Sequence, residues 1–231
     1  MVVPVLMRLT KRERINLRRR LAERRKYDLT YFEKHYWAED LPGHAGNMGL
    51  SYNDPLHLAR FNVLARALVD TFDFYTILDA GCGIGLMLRN LASLGKIPTG
   101  IDVSPHAARI YRKTAMPADP PFLLSGLEAL PFRENTFDLT FCSDVLEHVP
   151  LFDVEESITE LIRVTNRHLV LTINLNNPYY FHPTILSRES WDTLFCRSGV
   201  LLKEKHGHKM FQERLSRKYP EYEAFVFRKS S

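Results

Sequence analysis

Glycine is scarce in this chain, eleven in 231 residues, where an average protein has roughly 7%. Three of the eleven, Gly81, Gly83 and Gly85, fall inside one five-residue stretch. Cysteine is scarcer. Cys82, Cys142 and Cys196 are odd in number and form no C-x-x-C, which excludes a disulfide framework and a cysteine zinc site and fits reduced thiols in a cytoplasmic protein. No apolar run approaches the roughly 18 residues of a membrane span. Basic residues follow Met1–Met7 rather than precede it, the wrong order for a secretory signal; an Arg-rich, acid-poor start leaves an organelle transit peptide as an alternative. No repeat or low-complexity tract interrupts the chain.

What is present begins with charge. The net +4 hides an asymmetry. Residues 8–26 hold ten Lys or Arg against Glu13 and Glu23, a local +8, so the remainder is −4. The body of the chain is therefore not a basic nucleic-acid binder, and any affinity for phosphates belongs to residues 8–26. At 45% hydrophobic, one good core can form, giving a basic helical extension with an aromatic flap over 1–53 and one domain over 54–231. Lys11–Lys26 reads as a charged helix. Tyr27, Tyr31, Phe32, Tyr36 and Trp37 crowd the stretch after it.

The organising stretch is Ile77-Leu-Asp-Ala-Gly-Cys-Gly-Ile-Gly85. A short β-branched and aliphatic run ends in Asp79, glycines then allow a sharp turn, and Leu86–Leu94 has helical spacing. Strand, glycine turn and helix start form a nucleotide-type crevice. It is not the dinucleotide fingerprint, because Leu86 stands where G-x-G-x-x-G needs glycine. A carboxylate at a strand's end suits a cation rather than a pyrophosphate. A second strand, Thr99-Gly-Ile-Asp102, ends in another acid about 20 residues on, where such folds hold ribose hydroxyls.

Asp-Ala-Gly-Cys-Gly-x-Gly followed by Gly-Ile-Asp-Val-Ser resembles the class I S-adenosylmethionine-dependent methyltransferases, of the small type 11 domain sort, over about Asp54 to Arg228. The resemblance implies an α/β fold, a Rossmann-like three-layer sandwich with a seven-stranded sheet, six strands parallel and one antiparallel. It implies that Asp79, Gly81, Cys82, Gly83, Asp102, Val103 and Ser143 bind the cofactor, with Asp79 suited to its cationic methionine part and Asp102 to its ribose hydroxyls. Ser125-Gly-Leu-Glu-Ala-Leu-Pro-Phe132 is similar to the family's G-D-A-E-x-L-P-F, but the family's acid falls on Gly126. Adenine recognition would then rest on backbone groups at Gly126 and Leu127.

Further elements follow from spacing. Asp54-Pro55 opens a helix with Leu56, Ala59, Val63, Leu64, Ala67 and Leu68 as its buried stripe, and His57 and Arg60 on its polar side. Asp138 caps the strand 136–142. Asp153 caps a helix through Val164. Ser187 caps another, with Trp191, Leu194 and Phe195 on one face, ended by Gly199. Val200–Lys203 and Glu223–Arg228 read as a closing antiparallel hairpin with 203–222 between them.

Methyl transfer to oxygen needs alignment and removal of a proton. His148 and Asp144 are the candidate general bases. Asp144-x-x-Glu147-His148 also resembles the E-x-x-E-H pattern of ubiquinone-pathway O-methyltransferases and small-RNA 2′-O-methyltransferases. There a divalent metal held by Asp144, Glu147, His148 and His182 would be the alternative, not the favoured reading. A third reading makes the segment structural. The expected activity is methyl transfer to a small-molecule hydroxyl of a sugar, quinone or secondary metabolite. An RNA methyltransferase using residues 8–26, or a catalytically silent methyltransferase-fold partner protein, are the alternatives.

Overall fold

A computed structural model describes residues 55–175, 182–199, 201–216 and 222–229, all within one compact unit, Leu50–Ser231. The basic helix, the aromatic flap and the 1–53 boundary lie outside the described residues, as do 176–181.

The elements run α1 (Pro55–Thr71), β1 (Thr76–Ala80), α2 (Leu86–Ser93), β2 (Ile97–Asp102), α3 (Pro105–Thr114), β3 (Phe122–Leu124) and β4 (Phe137–Ser143). A 3₁₀ turn (Leu146–His148), α4 (Leu151–Val164), β5 (Thr165–Asn174), α5 (Arg188–Ser198), β6 (Leu201–Lys203), α6 (Lys205–Ser216) and β7 (Tyr222–Lys229) follow. The sheet order is β3-β2-β1-β4-β5-β7-β6. β1 pairs in parallel with β2 and β4, as do β2 with β3 and β4 with β5. β7 runs antiparallel to both β5 and β6.

The central strands read as near-continuous apolar runs because both their faces are covered. α1 packs against α2 and α6, and α4 against α5. β7 divides its side chains by the strand period of two. Ala224 and Val226 join Leu64, Leu68, Phe141 and Phe211 in one core. Phe225 and Phe227 stack instead on Phe195 of α5, with ring centroids 5.4 and 5.0 Å away. Asp138 fixes the start of the central pair, accepting from Tyr75 N, Thr76 N and Thr76 Oγ1 at 3.0–3.1 Å.

The last two strands pair antiparallel, as their sequence suggests, and the segment between them holds α6. Phe211 anchors it deeply, and Gly207 interrupts its pattern, since a Cβ there would come within 2.6 Å of the Phe72 ring. Two expectations are corrected. The buried stripe of α1 takes in Arg60 rather than Ala59, which is exposed; an ion pair described below draws the arginine inward. α4 starts at Leu151 after Pro150, so Asp153 lies within its first turn and is not its cap.

Candidate active site

The strand order reverses between β1 and β4, and ligands of open α/β sheets bind at the carboxyl ends beside such a reversal. The glycine turn stands there. Gly81, Gly83 and Gly85 have φ of 85°, 53° and 77°, a region that side chains with a Cβ rarely adopt. The space around two of them belongs to the protein itself. A Cβ at Gly81 would lie 2.2 Å from Val145 Cγ2, and one at Gly85 2.4 Å from the Tyr111 ring. Gly81 N and Cys82 N both donate to Ile101 O, at 2.8 and 2.9 Å. Gly83 N donates to Asp102 Oδ2 and Ser104 N to Asp102 Oδ1, each at 2.8 Å. Asp102 thus welds the turn to the end of β2. Gly100 lets this happen: a Cβ there would meet Leu88 Cδ1 at 2.5 Å and Cys82 Sγ at 2.7 Å.

Asp79 differs from Asp102. It is 4% exposed, and its Oδ2 has no hydrogen-bond partner among the described residues. Burial first, and the Asp102 carboxylate second, push its carboxyl up to about 7. Burial and the same two carboxylates also raise the Cys82 thiol, so it stays protonated. The open side beyond β2 carries Val103, 45% exposed. Ser125 N donates to Asp102 O at 3.0 Å, which brings the segment after β3 to the same edge, with Leu127 buried. No acid stands at Gly126, yet one lies against it: a Cβ there would be 2.3 Å from Glu128 Oε2.

The other side of the crevice is built from β4, β5 and α1. Ser143 Oγ and Thr172 Oγ1 are 2.7 Å apart. Asp144 takes the left-handed conformation, φ 57°, with its N donating to Thr172 O at 3.0 Å. Its carboxylate forms a largely buried ion pair with Arg60. The pair ties the loop after β4 to α1. Glu147 is fully buried. Its Oε1 accepts from Asn174 N at 3.0 Å, and its Oε2 has no partner among the described residues. Burial, then the Asp144 carboxylate, push this carboxyl up to about 8. The backbone of the same turn takes Thr184: Thr184 N donates to Glu147 O at 3.1 Å and Thr184 Oγ1 to Val149 O at 2.6 Å. His182 then meets His148 edge-on, ring centroids 4.6 Å apart at 80°.

The set Asp144, Glu147, His148 and His182 is divided among these contacts. Among the described residues no group of three or more His, Cys, Asp or Glu is arranged to hold a metal ion. Arg60, Val145, Glu128, Thr172 and Thr184 were not assigned these contacts from sequence. Only Arg60 and Glu128 carried a signal: a charge beside an apolar stripe, and an acid two places beyond a missing one.

Residues 78–171 match the family model of a methyltransferase domain. The ubiquinone biosynthesis O-methyltransferase of Coxiella burnetii is 31% identical over 160 residues, covering 66% of this chain and 64% of that protein. The protein of the same description from Albidiferax ferrireducens is 38% identical over 78 residues, 32% of this chain and 31% of that one. The chain thus spans less than two thirds of these relatives' length. Among solved structures, a protein from Pyrococcus horikoshii superposes with a TM-score of 0.65 at 16% identity, over 86% of this chain and all of that one. The magnesium protoporphyrin IX methyltransferase of Synechocystis, solved with bound S-adenosylmethionine, gives 0.59 at 18% identity, over 88% and 98%. The likeness to solved structures establishes the fold. No helix among the described residues is long and apolar enough to cross a membrane.

Proposed function

We propose that the methyltransferase domain carried by this chain transfers a methyl group from S-adenosylmethionine to a hydroxyl of a small molecule. The observation that carries the reading is the buried carboxylate of Asp79, with one oxygen unpartnered, beside a glycine turn that Asp102 fastens to β2. These residues fit the donor: a carboxylate for its cationic end, a second for its ribose, and Val103 with the Gly126–Leu127 backbone for its base. When bound, the donor supplies an electrophilic methyl on a sulfonium.

The chain's own residues align and deprotonate. Ser143 and Val145 bound the side from which an acceptor would enter. The Arg60–Asp144 pair fixes the loop after β4, and His148 acts as the general base: a ring nitrogen takes the hydroxyl proton as the methyl moves, a contribution of about 10²–10⁴ in rate for such groups. The O-methyltransferase relatives support oxygen as the acceptor atom. A quinol or catechol ring is the class their printed names suggest.

The test is formation of S-adenosylhomocysteine from S-adenosylmethionine on addition of catechols, quinols, sugars or RNA in turn. Turnover with a phenolic hydroxyl supports the reading; turnover with RNA alone replaces it. Asp102→Ala should weaken donor binding at least tenfold by calorimetry, since a charge-assisted hydrogen bond is worth about 1.5–3 kcal/mol. An unchanged dissociation constant would remove Asp102 from the site.

A further inference from the structure

The crevice holds two carboxylates with opposite surroundings. Asp102 has each oxygen engaged by a backbone N–H, from Gly83 and Ser104. Asp79 is buried with Oδ2 unpartnered. Among the described residues the titratable groups that face it are Asp102 from β2, the Cys82 thiol in the turn and the Cys142 thiol on β4. Each is neutral or negative, so none offsets a charge on Asp79. A bare buried carboxylate is far costlier than the neutral acid, and an adjacent cation reverses that order.

We infer that Asp79 reads the charge of whatever enters this crevice: it keeps its proton while no cation is beside it, and releases that proton to solvent when a cationic ligand binds. The inference rests on the donor reading above and adds a linkage between donor binding and proton release. The carboxyl, pushed up to about 7, is set to exchange its proton near neutrality.

Calorimetry on the full chain tests this in buffers of different ionisation heat. At pH 6 an α-amino group is already fully protonated, so S-adenosylmethionine itself exchanges little. Its binding should release close to one proton there, and its affinity should fall by roughly tenfold per pH unit below 6. The uncharged 5′-methylthioadenosine, with the same nucleoside, should bind with no proton exchange. Asp79→Asn should keep the affinity for methylthioadenosine, bind S-adenosylmethionine at least tenfold more weakly, and release no proton. If S-adenosylmethionine binds without proton release, or the Asn variant still releases one, the linkage is wrong while the donor reading stands. If neither ligand binds, the donor reading falls and the linkage falls with it.

Discussion

The two sides of the crevice are built by different means. On the β1–β2 side the contacts run from backbone amides to Ile101 O and to the Asp102 carboxylate, all closed within residues 79–104. Ile101 O takes two amides of the turn, and Asp102 takes one more from the turn and one from Ser104. On the β4–β5 side the contacts join residues far apart in sequence, and charged side chains make two of them. Arg60 reaches Asp144 across 84 positions and Glu147 reaches Asn174 across 27. A side made of backbone holds one geometry, and any Cβ in the wrong place breaks it. A side made of side chains can be altered residue by residue while the sheet stays intact. That division suits a constant donor facing a variable acceptor.

Substitutions should respect the division. The largest effect is expected for Gly81→Ala, where φ is 85° and Val145 Cγ2 stands 2.2 Å from the added carbon. Donor affinity should drop by about a hundredfold or more, because strain and a backbone shift compound at such positions. Adding Val145→Ala should recover part of it by relieving the contact but not the φ. Equal binding by wild type and Gly81→Ala would show that the turn is not the rigid half.

The acceptor side should show itself in the pH dependence of stability. Burial holds the Glu147 carboxyl at about 8 in the fold, against an ordinary value of 4.5. Between these values the folded chain keeps a proton that the unfolded chain has lost. Its contribution is full below about 4.5, declines as pH rises, and is gone above about 8, with a slope of up to about 1.4 kcal/mol per pH unit. Urea unfolding of Glu147→Gln should therefore show a flatter profile between pH 5 and 8 than wild type. A parallel profile would mean that Glu147 ionises in place without cost. Arg60→Met should be smaller but still marked. It strands Asp144, whose side chain is 22% exposed, and should cost about 2–4 kcal/mol, near the range for a broken buried pair. Donor affinity should hardly move, since Arg60 serves the other side. A large loss of donor affinity with unchanged stability would merge the two halves.

The same division decided what could be read from the sequence. The turn, both crevice acids and the strands that carry them lie within some thirty residues, and their physics is local: a β-branched run, glycines, then helical spacing. The ion pair of Arg60 was not legible, because periodicity placed Ala59 on the buried face and no local pattern names a partner 84 residues away. α6 was missed for a similar reason. A helix with one deep apolar anchor and an internal glycine looks like a loop until the Phe72 ring that occupies the glycine's missing side is known. The partner of Asp144 was hidden in the same way: its neighbours in sequence, Ser143 and Val145, say nothing of the guanidinium beside it.

The smallest expected effect concerns an exposed side chain at the edge of the β1–β2 half. Gly126 lacks the acid that the resemblance puts there, and the exposed Glu128 carboxylate lies over it. If that carboxylate accepts the adenine amino group, Glu128→Gln keeps an acceptor oxygen and loses only charge, so donor affinity should fall about two- to fourfold, in the range of a hydrogen bond made at an exposed site. Gly126→Ala should cost slightly more, because the new methyl displaces the carboxylate rather than neutralising it. Measured against donors bearing adenine and an analogue without the amino group, both variants should lose their effect with the analogue. A Glu128→Gln penalty that persists there would assign Glu128 to holding its own loop, and would leave adenine to the backbone of Gly126 and Leu127.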